Sequence, residues 1–155
     1  MIEVYDIIND PLPKLKLTRE INEDPHCPQP DYTVWILDKY FDMGKLFYER
    51  CYCVALDESE NIKGIMMVSS GDDSGCEVYK KNIGIFLLLI GAAQFIICHN
   101  HPNGATKASD DDKISMGTII DLGKLIEIEM VEDYIITKNG WYGTRCERRC
   151  IYAEE

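Results

Sequence analysis

The stretch CYCVALD, residues 51–57, is apolar at every position before its aspartate, odd and even alike. A strand of that composition has no polar face, so both of its sides must be covered. The chain therefore needs a sheet at its centre and helices to sheathe it.

The rest of the sequence supplies them. DESENIKG turns the chain and IMMVSS is a second strand, so residues 51–69 read as a hairpin or meander. GDDSG, residues 71–75, is another loop. Residues 78–92 have a helical period, with Ile83, Phe86, Leu87 and Ile90 on one face and Gly91 near the end. QFIIC is a short buried strand. Residues 113–127 are helical, with Met116, Ile119, Ile120 and Ile126 inward. Asp31 is placed to cap a helix that carries Val34, Leu37 and Phe41 at helical spacing. DYIIT and WYGTR flank Asn139-Gly140, a strong hairpin signal. The expected fold is α/β or α+β with one central sheet. Residues 1–30 read as an N-terminal arm or linker, because NEDPHCPQPD holds three prolines. Residues 31–155 are the folded domain.

Composition narrows the function. At 155 residues and 46% apolar the chain can bury a real core as one domain. Its formal net charge of −11 is the wrong sign for neutralising phosphates, so direct DNA binding is not expected. The N-terminus MIEVYDIIND has no basic region and no long apolar run. The longest apolar stretch, residues 83–98, is shorter than the ~20 residues a bilayer span needs. A cytoplasmic chain with no membrane partner is expected. Seven cysteines, an odd number at irregular spacing, do not make a disulfide framework. Cys51 and Cys53 read as small buried hydrophobes. Cys146 and Cys150 have nothing nearby to complete a zinc set. His26, in the proline-rich stretch, reads as a surface histidine.

The chemistry concentrates in CHNHPNGATKASDDD, residues 98–112. In extended backbone, side chains at i and i+2 share a side, so His99 and His101 project together where a strand leaves the sheet. Two imidazoles are half of a tetrahedral zinc shell. Asp112, in the first turn of the next helix, can return to supply an oxygen ligand. Three protein ligands leave a position for water, which is the layout of a catalytic zinc. Ser109 lies one turn before Asp112, so its hydroxyl can face the same pocket and meet a developing oxyanion. A base must come from elsewhere. A plainer reading stands beside this one: Ser109-x-x-Asp112 is also a capping box, and acids suit a helix N-terminus through the macrodipole alone.

Taken together, His99, His101, Ser109 and Asp112 match the JAMM (MPN+) motif, H-x-H-x7-S-x-x-D. HNHPNG is similar to the HNHPSG of the RadC-like branch of that JAB/MPN+ metalloprotease-like family. Upstream, ERCYCVALDESENI, VSSGDD and AAQFIICHNHP resemble the branch's first strand and turn, its glycine loop and its motif strand. Downstream, EDYIIT stands where the branch has DHIII. The resemblance runs from about Asp31 to Arg145.

The resemblance implies a mixed β-sheet flanked by helices, similar to the cytidine deaminase fold. It implies Zn²⁺ on His99, His101 and Asp112, Ser109 stabilising a tetrahedral intermediate, and Glu49 as general base. A peptide or isopeptide bond is the implied substrate. The branch's traditional name also suggests an alternative role near nucleic acid, in repair or mobile elements. Against direct DNA contact stand the acidic charge and residues 1–30, which lack the glycine-rich hairpins of the branch's helix-hairpin-helix region. A nucleobase deaminase would carry H-x-E and P-C-x-x-C, and neither is present. Four positions depart from the pattern: Ala108 replaces a proline, Tyr134 a histidine, and Gly143-Thr144 a Ser-Phe pair. All leave the metal set untouched.

Overall fold

Alternation along the central strands puts two separate apolar clusters on the two faces of one sheet. The structure, a computed structural model, describes residues 1–71 and 78–152; beyond Gly71, the loop expected at 71–75 lies outside them. In chain order the elements are β1 (Ile2–Asn9), β2 (Pro13–Ile21), α1 (Tyr32–Phe41), β3 (Arg50–Leu56), β4 (Ile62–Ser70), α2 (Lys80–Ile90), β5 (Gln94–Asn100), α3 (Asp110–Ile126), β6 (Glu129–Thr137), β7 (Gly140–Gly143) and β8 (Arg149–Ile151). The eight strands form a single sheet in the order β2-β1-β4-β3-β5-β6-β7-β8. β1 runs parallel to β4 and β5 parallel to β6, and the remaining neighbours are antiparallel. This is the expected mixed central sheet.

β3 shows why CYCVALD has no polar side. Tyr52, Val54 and Leu56 join Ile96 and Cys98 of β5 in one cluster, roofed by Val34, Ile36 and Leu37 of α1. Cys51, Cys53 and Ala55 join Phe95 and Ile97 in the other, under Ile83, Phe86 and Leu87 of α2 and Ile119 of α3. Both helix-covered faces are dry, as a strand apolar at odd and even positions requires. The cysteines among the described residues fall into the same scheme: Cys27, Cys51, Cys53 and Cys98 are buried, and Cys146 and Cys150 are exposed. Among the described residues no helix is long and apolar enough to cross a membrane.

Two expectations need correction. Residues 1–30 are not a free arm or linker. β1 and β2 pair with each other and dock on the sheet through Val4↔Ile65 and Tyr5↔Met66. Ile2, Val4 and Ile21 are buried in the first cluster. The driving force is the apolar alternation at Ile2 and Val4, which the polar residues between them obscure. The proline-rich segment is pinned as well, with Cys27 N–H donating to Glu60 O at 2.9 Å and Ile62 N–H to Pro25 O at 2.7 Å. The second correction concerns Asp31, which precedes α1 but makes no side-chain cap. Thr33 Oγ1 instead donates to Pro30 O at 2.7 Å.

Phe86 is fully buried in the second cluster. Truncation of such a ring leaves a cavity that typically costs about 3–5 kcal/mol. Phe86→Ala should lose stability on that scale in urea denaturation while residues of the α1 face keep their amide protection.

Candidate metal centre

β5 carries the centre because it is short, buried and flanked on both sides. Cys51↔His99 ends its antiparallel ladder with β3. His99↔Ile135 and Asn100↔Ile136 carry its parallel ladder with β6 further, and His101 N–H still donates to Ile136 O at 3.0 Å. The backbone under both histidines is therefore held in the extended form that aims them to one side. The chain then turns sharply. Gly104 N–H donates to His101 O at 3.0 Å, and Gly104 has φ +84°, a left-handed conformation that glycine takes without strain.

The return is made by the start of α3. Ser109 Oγ accepts from Asp112 N–H at 3.0 Å, and Asp112 Oδ2 accepts from Ser109 N–H at 2.9 Å. The capping box thus exists as the sequence suggests, and it is no alternative to the site. It fixes the carboxylate that faces the histidines. His101 Nε2 stands 3.1 Å from Asp112 Oδ2, His99 Nε2 stands 3.6 Å from Asp112 Oδ1, and the two Nε2 atoms are 3.1 Å apart.

These atoms fit a small cation. Two ligand atoms ~2.0–2.1 Å from one tetrahedral ion lie about 3.3 Å from each other. The donor chemistry agrees. Ala105 O is an acceptor, and His101 Nδ1 lies 2.7 Å from it, so Nδ1 carries the hydrogen. With Nδ1 carrying a hydrogen, Nε2 faces Asp112 Oδ2 at 3.1 Å, and that contact calls for a positive charge, either a metal ion between the two atoms or a second proton on the ring. His99, His101 and Asp112 form a potential metal-binding triad, with their ligand atoms all within 4.8 Å of one another.

Glu49 comes to the same place. It immediately precedes β3 and shares the side of Cys51, the partner of His99. Its Oε1 lies 3.9 Å from His101 Nε2, and the side chain is only 13% exposed. Ser109 is exposed at the rim, and its O–H remains a donor while its Oγ accepts the cap bond. Behind the triad is a cavity of about 50 Å³ lined by Glu49, Cys51, Ile97, His99, Asp112 and Asp133 among others.

Asp133 is the residue that sequence reasoning missed. It is buried on β6, opposite Ile97, with Oδ1 3.5 Å from His99 Nδ1 and without a well-formed hydrogen bond among the described residues. A carboxylate on the far nitrogen of a metal-facing histidine fixes its ring and raises its basicity. The signal was an acid amid the apolar residues of DYIIT. Burial disfavours the charged His99 imidazole, but its bonds to Asp112 and Asp133 outweigh this and push its pKa up to about 10. Burial also opposes ionised Asp112, yet His101 and His99 hold its carboxyl well below the usual range. For Asp133, burial raises the pKa and His99 counters it. The remaining candidates lie apart: His26 is exposed and bridges to Asn61.

Comparison with known proteins gives concordant matches. The family model described as RadC-like JAB domain matches residues 31–149. A UPF0758 protein of Clostridioides difficile is 31% identical over 111 residues, 70% of this chain and 46% of that protein. A UPF0758 protein of Clostridium acetobutylicum is 32% identical over 94 residues, 61% of this chain and 41% of that one. A UPF0758 protein of Flavobacterium johnsoniae is 28% identical over 100 residues, 64% of this chain and 44% of that protein. The chain thus spans less than half the length of these relatives.

The charge cluster sets a pH window for the metal-free chain. His99 has a folded pKa above its ordinary 6.5, so its stabilisation is complete below about 6.5 and is lost as pH rises through about 10. Asp112 is depressed from 3.8, so its stabilisation is present above that value and is lost as pH falls through its folded pKa. In the metal-free chain, ring NMR signals of His99 should remain those of the cation at about pH 8, and Asp133→Asn should lower the midpoint. A wild-type midpoint near 6.5 would contradict this.

Proposed function

The chain belongs to the RadC-like JAB domain family, and on that premise we propose that it is a zinc-dependent hydrolase of the JAMM type that cleaves a peptide or isopeptide bond. The observation that carries this reading is the convergence of His99, His101 and Asp112 with a carboxylate, Glu49, that stands beside the triad at 3.9 Å from His101. A triad alone suits any metal-binding scaffold. A triad with an adjacent non-ligand carboxylate suits hydrolysis, because the water needs a base.

His99 and His101 would hold the ion through their imidazoles and Asp112 through its carboxylate. Such an ion supplies Lewis acidity to a water and to the substrate carbonyl. Glu49 accepts a proton from the attacking water. The water oxygen bonds to the carbonyl carbon, and Ser109 donates its hydroxyl to the developing oxyanion. When the C–N bond breaks, Glu49 returns the proton to the leaving amine. The products are a carboxylic acid and an amine, and nothing else is consumed but water. Asp133 and Ala105 O hold the two rings in the tautomers this requires. The net charge of −11 favours a peptide or protein substrate over a nucleic acid.

The test begins with elemental analysis of the purified chain. Wild type should hold about one zinc per chain, and His101→Ala and Asp112→Ala should lose it. Glu49→Gln should keep the metal and lose activity on a peptide or isopeptide panel by about 10²–10⁴-fold. An active Glu49→Gln chain removes Glu49 from its role. Failure to bind zinc after reconstitution removes the hydrolase reading itself.

A further inference from the structure

Asn100 lies between the two histidines and is 1% exposed, yet no step above uses it. Backbone alternation sends it to the face opposite His99 and His101. Its side chain then makes two well-formed hydrogen bonds sideways to β3 and the residues just before it. Oδ1 accepts from Arg50 N–H at 2.7 Å, and Nδ2 donates to Tyr48 O at 2.9 Å. These are the backbone groups on either side of Glu49.

The geometry is that of a borrowed peptide group. The β3–β5 ladder stops at Cys51↔His99, one residue short of Arg50 and Asn100. Beyond that point the backbone of Asn100 pairs only with β6. The Asn100 amide presents a carbonyl and an N–H as a neighbouring strand would, and so extends the ladder by one further pair of bonds. On the other side, Glu49 O accepts from Gly71 N–H at 2.8 Å. The segment 48–50 is thus held from both flanks.

We propose that Asn100 is a positioning residue for Glu49: the residue between the two metal ligands grips the backbone around the base and fixes its distance to them. The proposal rests on the hydrolase reading above for what Glu49 does, but the grip itself does not depend on it. Because two of the ligands and the clamp are three consecutive residues, at the end of β5 and just beyond it where His101 N–H still bonds to Ile136 O, the base is tied to the histidines of the metal set. Misplacement of a reacting group by about 1 Å costs about 10²-fold in rate, and removing the Asn100 amide would leave Arg50 N–H and Tyr48 O without these partners, an unfavourable state for buried polar groups.

The experiment compares wild type, Asn100→Ala, Asn100→Asp and Glu49→Gln, with Asn100→Ala also in the Glu49→Gln background. Metal content, amide hydrogen exchange at Arg50 and steady-state kinetics are read on each. Asn100→Ala should keep its zinc, expose the Arg50 amide to exchange at least about tenfold faster, and lower kcat by about 10²-fold with KM little changed. Asn100→Asp keeps the size and an acceptor for Arg50 N–H but sets an oxygen against Tyr48 O. It should retain Arg50 protection better than Asn100→Ala while still losing kcat, which keeps the test valid if Asn100→Ala fails to fold. In the Glu49→Gln background, Asn100→Ala should add almost no further loss, because a positioning residue acts through the group it positions. Equal losses in both backgrounds, loss of zinc together with activity, or unchanged Arg50 exchange would overturn the proposal. If wild type itself hydrolyses nothing, the hydrolase reading fails, and Arg50 exchange alone then decides whether the clamp exists.

Discussion

The reciprocal bonds between Ser109 and Asp112 do two things with the same atoms. They satisfy N–H groups at the start of α3, which would otherwise lack partners. They also turn the Asp112 carboxylate toward the histidines, 3.1 Å from His101 and 3.6 Å from His99. A carboxylate on a freely rotating side chain would lose entropy on meeting the histidines, whereas this one is already oriented by the helix it starts. The serine and aspartate spacing therefore reads equally well as a cap and as a ligand motif, and both readings describe one arrangement. The third aspartate of the run is the useful one because only the position three beyond Ser109 can close the box.

Charge reinforces the arrangement. A partly buried carboxylate and a buried imidazole would each suffer from desolvation alone. In the metal-free chain, placed against each other, each keeps the other charged. Asp133 extends the chain of contacts inward to His99 Nδ1, so one line of alternating acid and imidazole runs from the helix start to the middle of the sheet. Such a line is costly to break at any one member, because the remaining charge stays buried without its counterpart.

Much of the fold was legible where the sequence has an unambiguous period. β3 to β5 and their two helices follow from short apolar runs set between amphipathic stretches. Helix ends were less legible: α3 starts at Asp110, three residues before its apolar period becomes regular, because the cap and not the periodicity sets its start. The β1–β2 hairpin was missed because Lys14, Lys16 and Arg19 make β2 resemble a solvated tail. That same charge suits a sheet edge. The metal set was legible in local spacing, since His99, His101, Ser109 and Asp112 all lie between positions 99 and 112. Glu49 needed the family resemblance, for it joins the site only through the β3–β5 register. Asp133 and Asn100 were invisible for the same reason: their partners are 34 and 50 positions away in sequence, and only the assembled sheet brings them together.

The docking of β1 beside β4 has a consequence for how the chain reaches its fold. The β1–β2 hairpin is local and can form as soon as residues 1–21 are available. Its place on the sheet, through Val4↔Ile65, is not available until β4 exists. During synthesis some forty further residues must emerge after Ile21 before that pairing can form. In that interval the hairpin's free edge can pair with any other exposed strand, including that of a second nascent copy. The lysines of β2 guard the outer edge, so the unguarded side is that of β1, the side that β4 will later occupy.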